Sequence, residues 1–344
     1  MHEMEVTAAP HQMTSFPCLA SPAPQPSALS WSTPFRSATE LTQSLARLGK
    51  DFNALQLSQG HLQGRISVVH LLGISLLKIK TNQLLLLNGE RGDDCTAFAL
   101  ESSNTIDDHM VHCEPISPNS LHGFKSGLNE SFFSLTAGST SYMVVTSTKR
   151  FNRYLMHCSQ NQLLERMERC NGVTLKQQHH RALCQIIATL FNAPPTRATD
   201  RQSSSSLLQT CLLHCLVGSQ ADTYIPHQPT ARQDLIRELV QWGFQNGHQP
   251  LNLDDVSRAL YTSRRTLILG SKQSTGMGPM ELLRSIRLEQ VNWMLRSPAT
   301  RVAANLHSVS EVAQHFGFRS RGNFAAIYRQ HFEESPRDTL LAAA

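Results

Sequence analysis

The stretch VSEVAQHFGFRSRGNFAAIYRQHFEESP, residues 309–336, decides the fold of the carboxy-terminal part of this chain. Ser308 followed by Glu311 is the pattern of a capping box, which starts a helix. Apolar residues then recur at helical spacing, and Gly317 supplies a left-handed residue that ends the helix. A second amphipathic run places three aromatic residues four apart, Phe324, Tyr328 and Phe332. The stretch therefore predicts two short helices joined by a tight turn, which we call module 2.

A second copy of this pattern, module 1, lies upstream at residues 252–279. Val256, Leu260, Leu267 and Pro279 correspond to Val312, Phe316, Phe324 and Pro336. In each copy the proline follows the last apolar anchor at the same interval, and the two prolines are 57 residues apart. Residues 280–296 carry no helix breaker, so one continuous helix is expected to join the two modules.

Two short helices in this arrangement form a helix-turn-helix, whose second helix enters the major groove of DNA. The pattern GF-x-S-x-x-x-F-x-x-x-Y-x-x-x-F-x-x-SP resembles the second helix-turn-helix of the AraC/XylS family of bacterial transcription regulators. The pair Arg287-Leu288 also matches the family pattern. The resemblance implies an all-α DNA-binding domain in which a long helix joins two helix-turn-helix modules.

The candidate DNA contacts are polar residues at the start of, or along, the outer face of each second helix. In module 1 they are Ser263, Arg264, Arg265, Thr266 and Lys272. In module 2 they are Arg319, Ser320, Arg321, Asn323 and Arg329. Arginine can bind guanine through two hydrogen bonds and asparagine can bind adenine in the same way, whereas Lys272 is better placed for a phosphate.

Three residues depart from the family pattern. Ser271, preceded by Gly270, stands where an aromatic residue usually packs, and Glu333 stands where the family has glycine. A glycine inside a helix costs about 1 kcal/mol relative to alanine. The two departures in module 1 favour a loosely folded second helix there that contributes mainly backbone contacts. The alternative is that Ile268 and Leu269 contact thymine methyl groups.

Composition and charge agree with a DNA-binding carboxy-terminal domain. The net charge is +5, and residues 250–344 hold 12 Lys and Arg against 8 Asp and Glu, as neutralisation of phosphates requires. Eight cysteines occur without a C-x-x-C pair, and no secretory signal is evident, which predicts reduced thiols in the cytoplasm. No stretch approaches the ~20 apolar residues of a membrane helix, so no membrane contact is expected.

The amino-terminal part predicts a different architecture. Residues 1–38 are rich in Pro, Ser and Thr and are expected to be disordered, and 39–57 to form a helix. Short apolar runs between glycines predict strands at 66–70, 74–79, 83–87, 97–100, 110–116, 131–135 and 142–145. Helices are expected at 151–170, 174–192, 203–217 and 232–246. The predicted fold class is therefore α+β.

The domain division follows from these elements and from the resemblance. A β-rich sensor and dimerisation domain is expected over 39–220, with helices at its carboxy-terminal side, followed by a linker at 221–230 and the DNA-binding domain at 231–344. The resemblance implies promoter DNA and RNA polymerase as partners, a homodimer contact through helices next to the sensor sheet, and action as an activator. No cofactor is evident, and the small-molecule effector stays unknown.

Parts of the chain, such as GNFAAIYRQHF at 322–332, are most similar to the regulator of ethanolamine-utilisation operons. Similar regulators occur in cyanobacteria, where some act in light-colour acclimation, so a light-colour or metabolic response is a hypothesis here.

Two other classes of function stay open at this point. His109, His112, Cys113 and His122 could be offered as metal ligands of an enzyme, but the H-x-H pattern of barrel-type metal sites is absent, so we expect no enzyme. Gly270 and Ser271 leave open an interaction protein whose helix-turn-helix modules are degraded and do not bind DNA.

Overall fold

The described part of the chain divides into a strand-rich amino-terminal domain and a helical carboxy-terminal domain, which confirms the predicted fold class. The computed structural model describes residues 29–92, 94–102, 110–111, 114–117, 119–128, 130–227, 230–248 and 252–343. The strands are β1 (Ser30–Phe35), β2 (Asp51–Gln56), β3 (Gly64–His70), β4 (Ile74–Thr81), β5 (Leu85–Glu90), β6 (Thr96–Glu101), β7 (Met110–Val111), β8 (Glu114–Pro115), β9 (Ser120–His122), β10 (Glu130–Leu135), β11 (Thr140–Thr146), β12 (Cys170–Thr174) and β13 (Tyr224–Pro226).

The helices lie before, between and after these strands. Those of the amino-terminal domain are α1 (Ala38–Ala46), α2 (Thr148–His157), α3 (Asn161–Arg169), α4 (Gln177–Asn192) and α5 (Ala198–Val217). Those of the carboxy-terminal domain are α6 (Ala231–Gln245), α7 (Leu253–Ala259), α8 (Arg264–Thr275), α9 (Pro279–Arg296), α10 (Pro298–Ala303), α11 (Val309–His315), α12 (Arg321–Phe332) and α13 (Pro336–Ala342). Among the described helices, none has both the length and the apolar character needed to cross a membrane.

The strands form two antiparallel sheets. The large sheet has the order β1-β3-β4-β11-β6-β9-β12-β13, and the small sheet has the order β2-β5-β10-β7-β8. The two sheets share a core with α1, in which Phe35 and Leu41 are fully buried. A second core lies between the other end of the large sheet and helices α2 to α5, with Phe98 and Phe151 at its centre.

The small sheet packs on both of its faces. Because successive side chains of a strand point to opposite faces, Leu85 and Leu87 enter the core shared with the large sheet, whereas Leu86 between them points the other way. Leu86 joins Leu55 and residues of α6 and α9 in one buried cluster. The carboxy-terminal domain is thus packed directly against the small sheet.

Two predictions for the start of the chain are wrong in part. Ser30–Phe35 forms a strand paired with β3 at the edge of the large sheet, so the predicted disordered tail is too long; residues 1–28 lie outside the described part. The helix predicted over 39–57 ends at Ala46, because Gly49 adopts a left-handed conformation with φ of 67° and the chain then enters β2.

Two later predictions also change. The helix predicted at 151–170 is divided at Ser159, whose φ of 58° breaks the helical path between α2 and α3. Cys170 then starts β12, which was not predicted. The predicted linker at 221–230 begins as ordered chain, since Ala221–Thr223 forms a 3-10 turn and Tyr224–Pro226 pairs with β12.

Candidate nucleic-acid interface

The two modules have the same helical framework. Helices α7 and α11 each contain seven residues, and α8 and α12 each contain twelve. Each pair is followed by a helix that begins with a proline, Pro279 in α9 and Pro336 in α13. The turn of module 2 is one residue longer, as the intervals from Leu260 to Leu267 and from Phe316 to Phe324 show. The internal duplication and the continuous joining helix are therefore confirmed.

Local hydrogen bonds fix where each helix of module 1 begins. The Asn252 side chain accepts hydrogen bonds from the backbone N–H groups of Asp254 and Asp255, both at 2.9 Å. The Ser263 hydroxyl accepts one from the backbone N–H of Thr266 at 3.1 Å and so starts α8. These caps satisfy N–H groups that a helix leaves without partners, and the first turn of α8 is exposed.

Module 2 begins with the predicted capping box. The Ser308 hydroxyl accepts from the backbone N–H of Glu311 at 3.2 Å, and the Glu311 carboxylate accepts from the backbone N–H of Ser308 at 3.0 Å. Hydrogen bonds from the backbone of His307 and Ser308 lower the pKa of Glu311, so this carboxylate stays charged. Gly317 ends α11 with φ of 80°.

All ten predicted contact residues are exposed and lie on α8, on α12 or on the residues just before them. They are Ser263, Arg264, Arg265, Thr266, Lys272, Arg319, Ser320, Arg321, Asn323 and Arg329. One of them, Arg264, has an ion-pair partner, the carboxylate of Asp254 in the preceding helix. In the described part of the chain Arg265 and Arg321 have no ion-pair partner, so their guanidinium groups face solvent. The fold thus presents two exposed, arginine-bearing helix starts.

The departures at Gly270 and Ser271 have a packing explanation. A side chain at Gly270 would place its first carbon 3.1 Å from side-chain carbons of both Arg232 and Ile236, so glycine allows α8 to pack closely on α6. Ser271 is fully buried and its hydroxyl donates to the Met277 carbonyl oxygen at 2.8 Å. Contrary to the loosely folded helix favoured above, α8 is continuous over all twelve residues and its buried polar group has a partner.

In module 2 a buried polar network, rather than close backbone packing, holds the second helix in place. The Tyr328 hydroxyl, fully buried, accepts from the Asn292 amide at 2.7 Å and lies 2.9 Å from the Thr339 hydroxyl. Arg296 donates to Asn292 at 3.0 Å and to Glu334 at 2.9 Å. Burial raises the pKa of Tyr328, so its hydroxyl keeps its proton. The network fixes α12 against α9 and α13.

The sequence reasoning missed one exposed aromatic residue. Tyr261, in the turn of module 1, is 98% exposed and has φ of 48°. Aligning the two modules places Tyr261 opposite Gly317, and this replacement of glycine by an aromatic residue was the available signal. An exposed tyrosine beside the start of α8 can pack on a deoxyribose or donate a hydrogen bond to a phosphate.

The described structure does not test the metal site that four residues of the strand region could have formed. His109, His112 and Cys113 lie outside the described residues, and His122 is buried in β9. Across the residues whose structure is described, no three metal-binding side chains come together.

Comparison with known proteins agrees with the modular geometry. Residues 256–341 match the family described as "Helix-turn-helix domain". The chain is 35% identical over 102 residues to the XylDLEGF operon transcriptional activator 2 of Pseudomonas putida, which covers 30% of this chain and 62% of that protein. It is 30% identical over 161 residues to the probable thc operon regulatory protein of Rhodococcus erythropolis, covering 46% and 47% of the two chains.

Among solved structures, the AraC-like transcriptional activator CuxR is similar over 76% of this chain and 94% of its own, with 14% identity and a TM-score of 0.40. The chain thus spans between about half and three fifths of the length of the first two curated relatives. The family match and these relatives show that the carboxy-terminal part of this chain is a helix-turn-helix domain similar to that of known transcription regulators.

Proposed function

We propose that this protein binds promoter DNA through α8 and α12 and regulates transcription as an activator. The observation that carries the proposal is the pair of matched modules, each with an exposed, arginine-bearing start to its second helix. A second helix presented in this way can enter the major groove.

The joining helix supports simultaneous contact of both modules with one DNA face. The 18 residues of α9 span about 27 Å at the rise of an α-helix. Successive turns of the major groove are about 34 Å apart. The two second helices are therefore separated by an element of suitable length to occupy neighbouring grooves.

The proposal also assigns a role to each of the two domains. The amino-terminal domain acts as a sensor and a homodimer contact, extending from β1 to β13, and the DNA-binding domain begins with α6. Relatives whose printed names include "activator" favour activation. Contact with RNA polymerase and a cytoplasmic location are further parts of the proposal. The ethanolamine-type and light-colour or metabolic signals stay hypotheses about the effector.

Genome-wide selection of fragments by the purified protein, at two salt concentrations, tests the proposal. We expect discrete enriched fragments, with weaker binding at higher salt because phosphate contacts release counterions. The variant Arg321→Ala with Asn323→Ala should lose these fragments, since both exposed side chains can bind base edges. A matched control, Arg153→Ala with Gln162→Ala, removes one charge and one amide from exposed residues of the amino-terminal domain and should keep them.

Two results would contradict the proposal. A folded wild-type protein that enriches no discrete fragment at either salt concentration would favour the interaction protein with degraded modules. Equal enrichment by the double variant and the wild type would place the DNA contact elsewhere.

A further inference from the structure

A short segment of the amino-terminal domain, residues 56–61, is joined to the carboxy-terminal domain by three backbone hydrogen bonds. The N–H of Gln56 donates to the Glu289 carboxylate on α9 at 3.1 Å. The N–H of Gly60 donates to the His331 carbonyl oxygen at 3.0 Å, and that of His61 to the Glu333 carboxylate at 3.3 Å. The segment therefore contacts both the joining helix and the end of the second recognition helix.

The segment is shaped for this contact by its own hydrogen bonds. The Gln56 side-chain amide donates to the carbonyl oxygens of Ser58 at 2.8 Å and of Gly60 at 2.7 Å. Gly60 has φ of 129°, and a side chain there would clash with the Gln83 amide. A turn held in this way keeps its N–H groups directed at α9 and α12.

Glu289 is an unusual partner because it is a buried carboxyl group at a domain junction. Its side chain is 4% exposed, and only one carboxylate oxygen has a hydrogen-bond partner in the described part of the chain. The side-chain oxygen of Gln56, the residue opposite, is also buried without a partner. A buried carboxylate oxygen without a donor is costly, which favours the protonated form of the Glu289 carboxyl group.

The charged groups around Glu289 do not neutralise it as a carboxylate. Arg296, on the same helix, is engaged by Glu334 at 2.9 Å and by Glu40 of α1 at 3.6 Å. His331 of α12, whose carbonyl oxygen accepts from Gly60, is buried, and burial lowers its pKa to about 4, so it is neutral at pH 7. Burial raises the pKa of Glu289 to about 8, against the opposing effects of the Gln56 hydrogen bond and Arg296.

We propose that residues 56–61 form a proton-controlled latch that holds α9 and α12 against the small sheet, and that ionisation of Glu289 releases it. In the latched state Glu289 carries a proton and its charge is absent from the junction. In the released state the carboxyl group is hydrated and ionises at its ordinary pKa, so release is accompanied by loss of one proton.

The pH range follows from the two buried groups. Glu289 is protonated up to about pH 8 when latched and ionises near pH 4.5 when released, so its contribution to the latch falls as pH rises between these values. His331 acts in the opposite direction, because the released histidine gains a proton below pH 6.5. Between pH 6.5 and 8 the effect of Glu289 is the larger of the two, so the latch weakens as pH rises.

Amide exchange of the full-length protein measures the latch directly. The peptide containing residues 56–61 carries the three N–H groups that cross the junction, and its protection is compared at pH 6.5 and pH 8.0 after correction for the intrinsic exchange rate. We expect protection to fall about tenfold, as linkage to one proton predicts. Glu289→Gln, which stays neutral, should abolish this fall, whereas Glu238→Gln, an exposed glutamate of α6, should retain it.

Two outcomes would overturn the proposal: wild-type protection that is the same at both pH values, or a fall that persists in Glu289→Gln. Glu333→Gly provides a second variant that keeps Glu289. It should lower protection of the peptide by a similar factor at both pH values, and equal protection to wild type would show that the His61 contact does not hold the segment.

The consequence for gene regulation rests on the proposed function. Release would free α12, which carries Arg321 and Asn323, from the small sheet. The exchange experiment contains no DNA, so failure of the latch and failure of DNA binding are separate results.

Discussion

The two helix-turn-helix modules share a backbone but are held in place by different interactions. In module 1, Gly270 and Ser271 allow α8 to lie close against α6, in a cluster that also contains Leu55 of the small sheet. In module 2, the equivalent of Ser271 is Tyr328, whose hydroxyl joins α12 to α9 and α13. The comparison teaches that the same DNA-reading geometry can be supported by close backbone packing or by a buried aromatic residue with a polar network.

The carboxy-terminal ends of α8 and α12 also differ. Gly276 ends α8 with φ of 74°, and its equivalent Glu333 ends α12 with φ of 56°. A left-handed conformation costs a non-glycine residue about 1–2 kcal/mol. In module 2 this strained residue contacts His61 of the amino-terminal domain. The departure from the family pattern is thus associated with a contact between domains.

The largest difference between the modules should appear when their central residues are truncated. Tyr328→Ala removes a fully buried ring and should lower the free energy of unfolding of module 2 by about 3–5 kcal/mol. Ser271→Ala removes one hydrogen bond and should cost module 1 about 1 kcal/mol.

The chain has three tryptophans, and two of them report on the separate modules. Trp242 packs on the cluster of module 1 and Trp293 on that of module 2. Urea denaturation of variants that keep only one of these tryptophans would assign each loss to a module. Equal losses for the two substitutions would contradict the proposed difference in support.

Acid should destabilise module 2 selectively. Burial lowers the pKa of His331 to about 4, so its stabilising contribution is complete above pH 6.5 and is lost as pH falls toward 4, because the unfolded histidine binds a proton first. The shift corresponds to roughly 3 kcal/mol. The equivalent residue of module 1 is Ser274, which does not titrate.

The difference in stability between wild type and His331→Gln, measured from pH 7 to pH 4 with the Trp293 reporter, isolates this effect from that of Glu289. A difference that stays constant over this range would show that His331 is not buried in its neutral form.

The smallest effect concerns the two left-handed helix ends. Gly276→Ala should lower the stability of module 1 by about 1 kcal/mol, since alanine is strained at positive φ. Glu333→Gly should change module 2 by less, because the strain that is relieved is offset by loss of the hydrogen bond to His61. Thermal denaturation of both variants checks this, and a full 1 kcal/mol gain for Glu333→Gly would mean that the His61 contact contributes no stability.

Sequence reasoning identified the modules because their signals are local. The capping box at Ser308, the left-handed Gly317 and the proline at the start of each following helix act within a few residues of one another. Eight of the ten predicted contact residues, all except Lys272 and Arg329, share this property, since they lie at or just before the start of a helix. Their roles in binding DNA stay predictions.

Contacts between distant parts of the chain were not predicted. The hydrogen bond from Gln56 to Glu289 joins residues 233 positions apart, and no local pattern marks either residue. The edge strand β1 was missed because Pro34 and the surrounding serines resemble a disordered tail, although the pairing with β3 orders them. The structure of these regions depends on tertiary packing.

The central claim is that both modules read DNA, and hydroxyl-radical footprinting on a selected fragment tests it most directly. The wild type should protect two segments about 10 base pairs apart. At protein concentrations high enough to restore occupancy of the fragment, Arg321→Ala with Asn323→Ala should remove only the segment bound by module 2, and Arg265→Ala with Thr266→Ala only the one bound by module 1. A single protected segment in the wild type, or one that survives both double substitutions, would contradict the account.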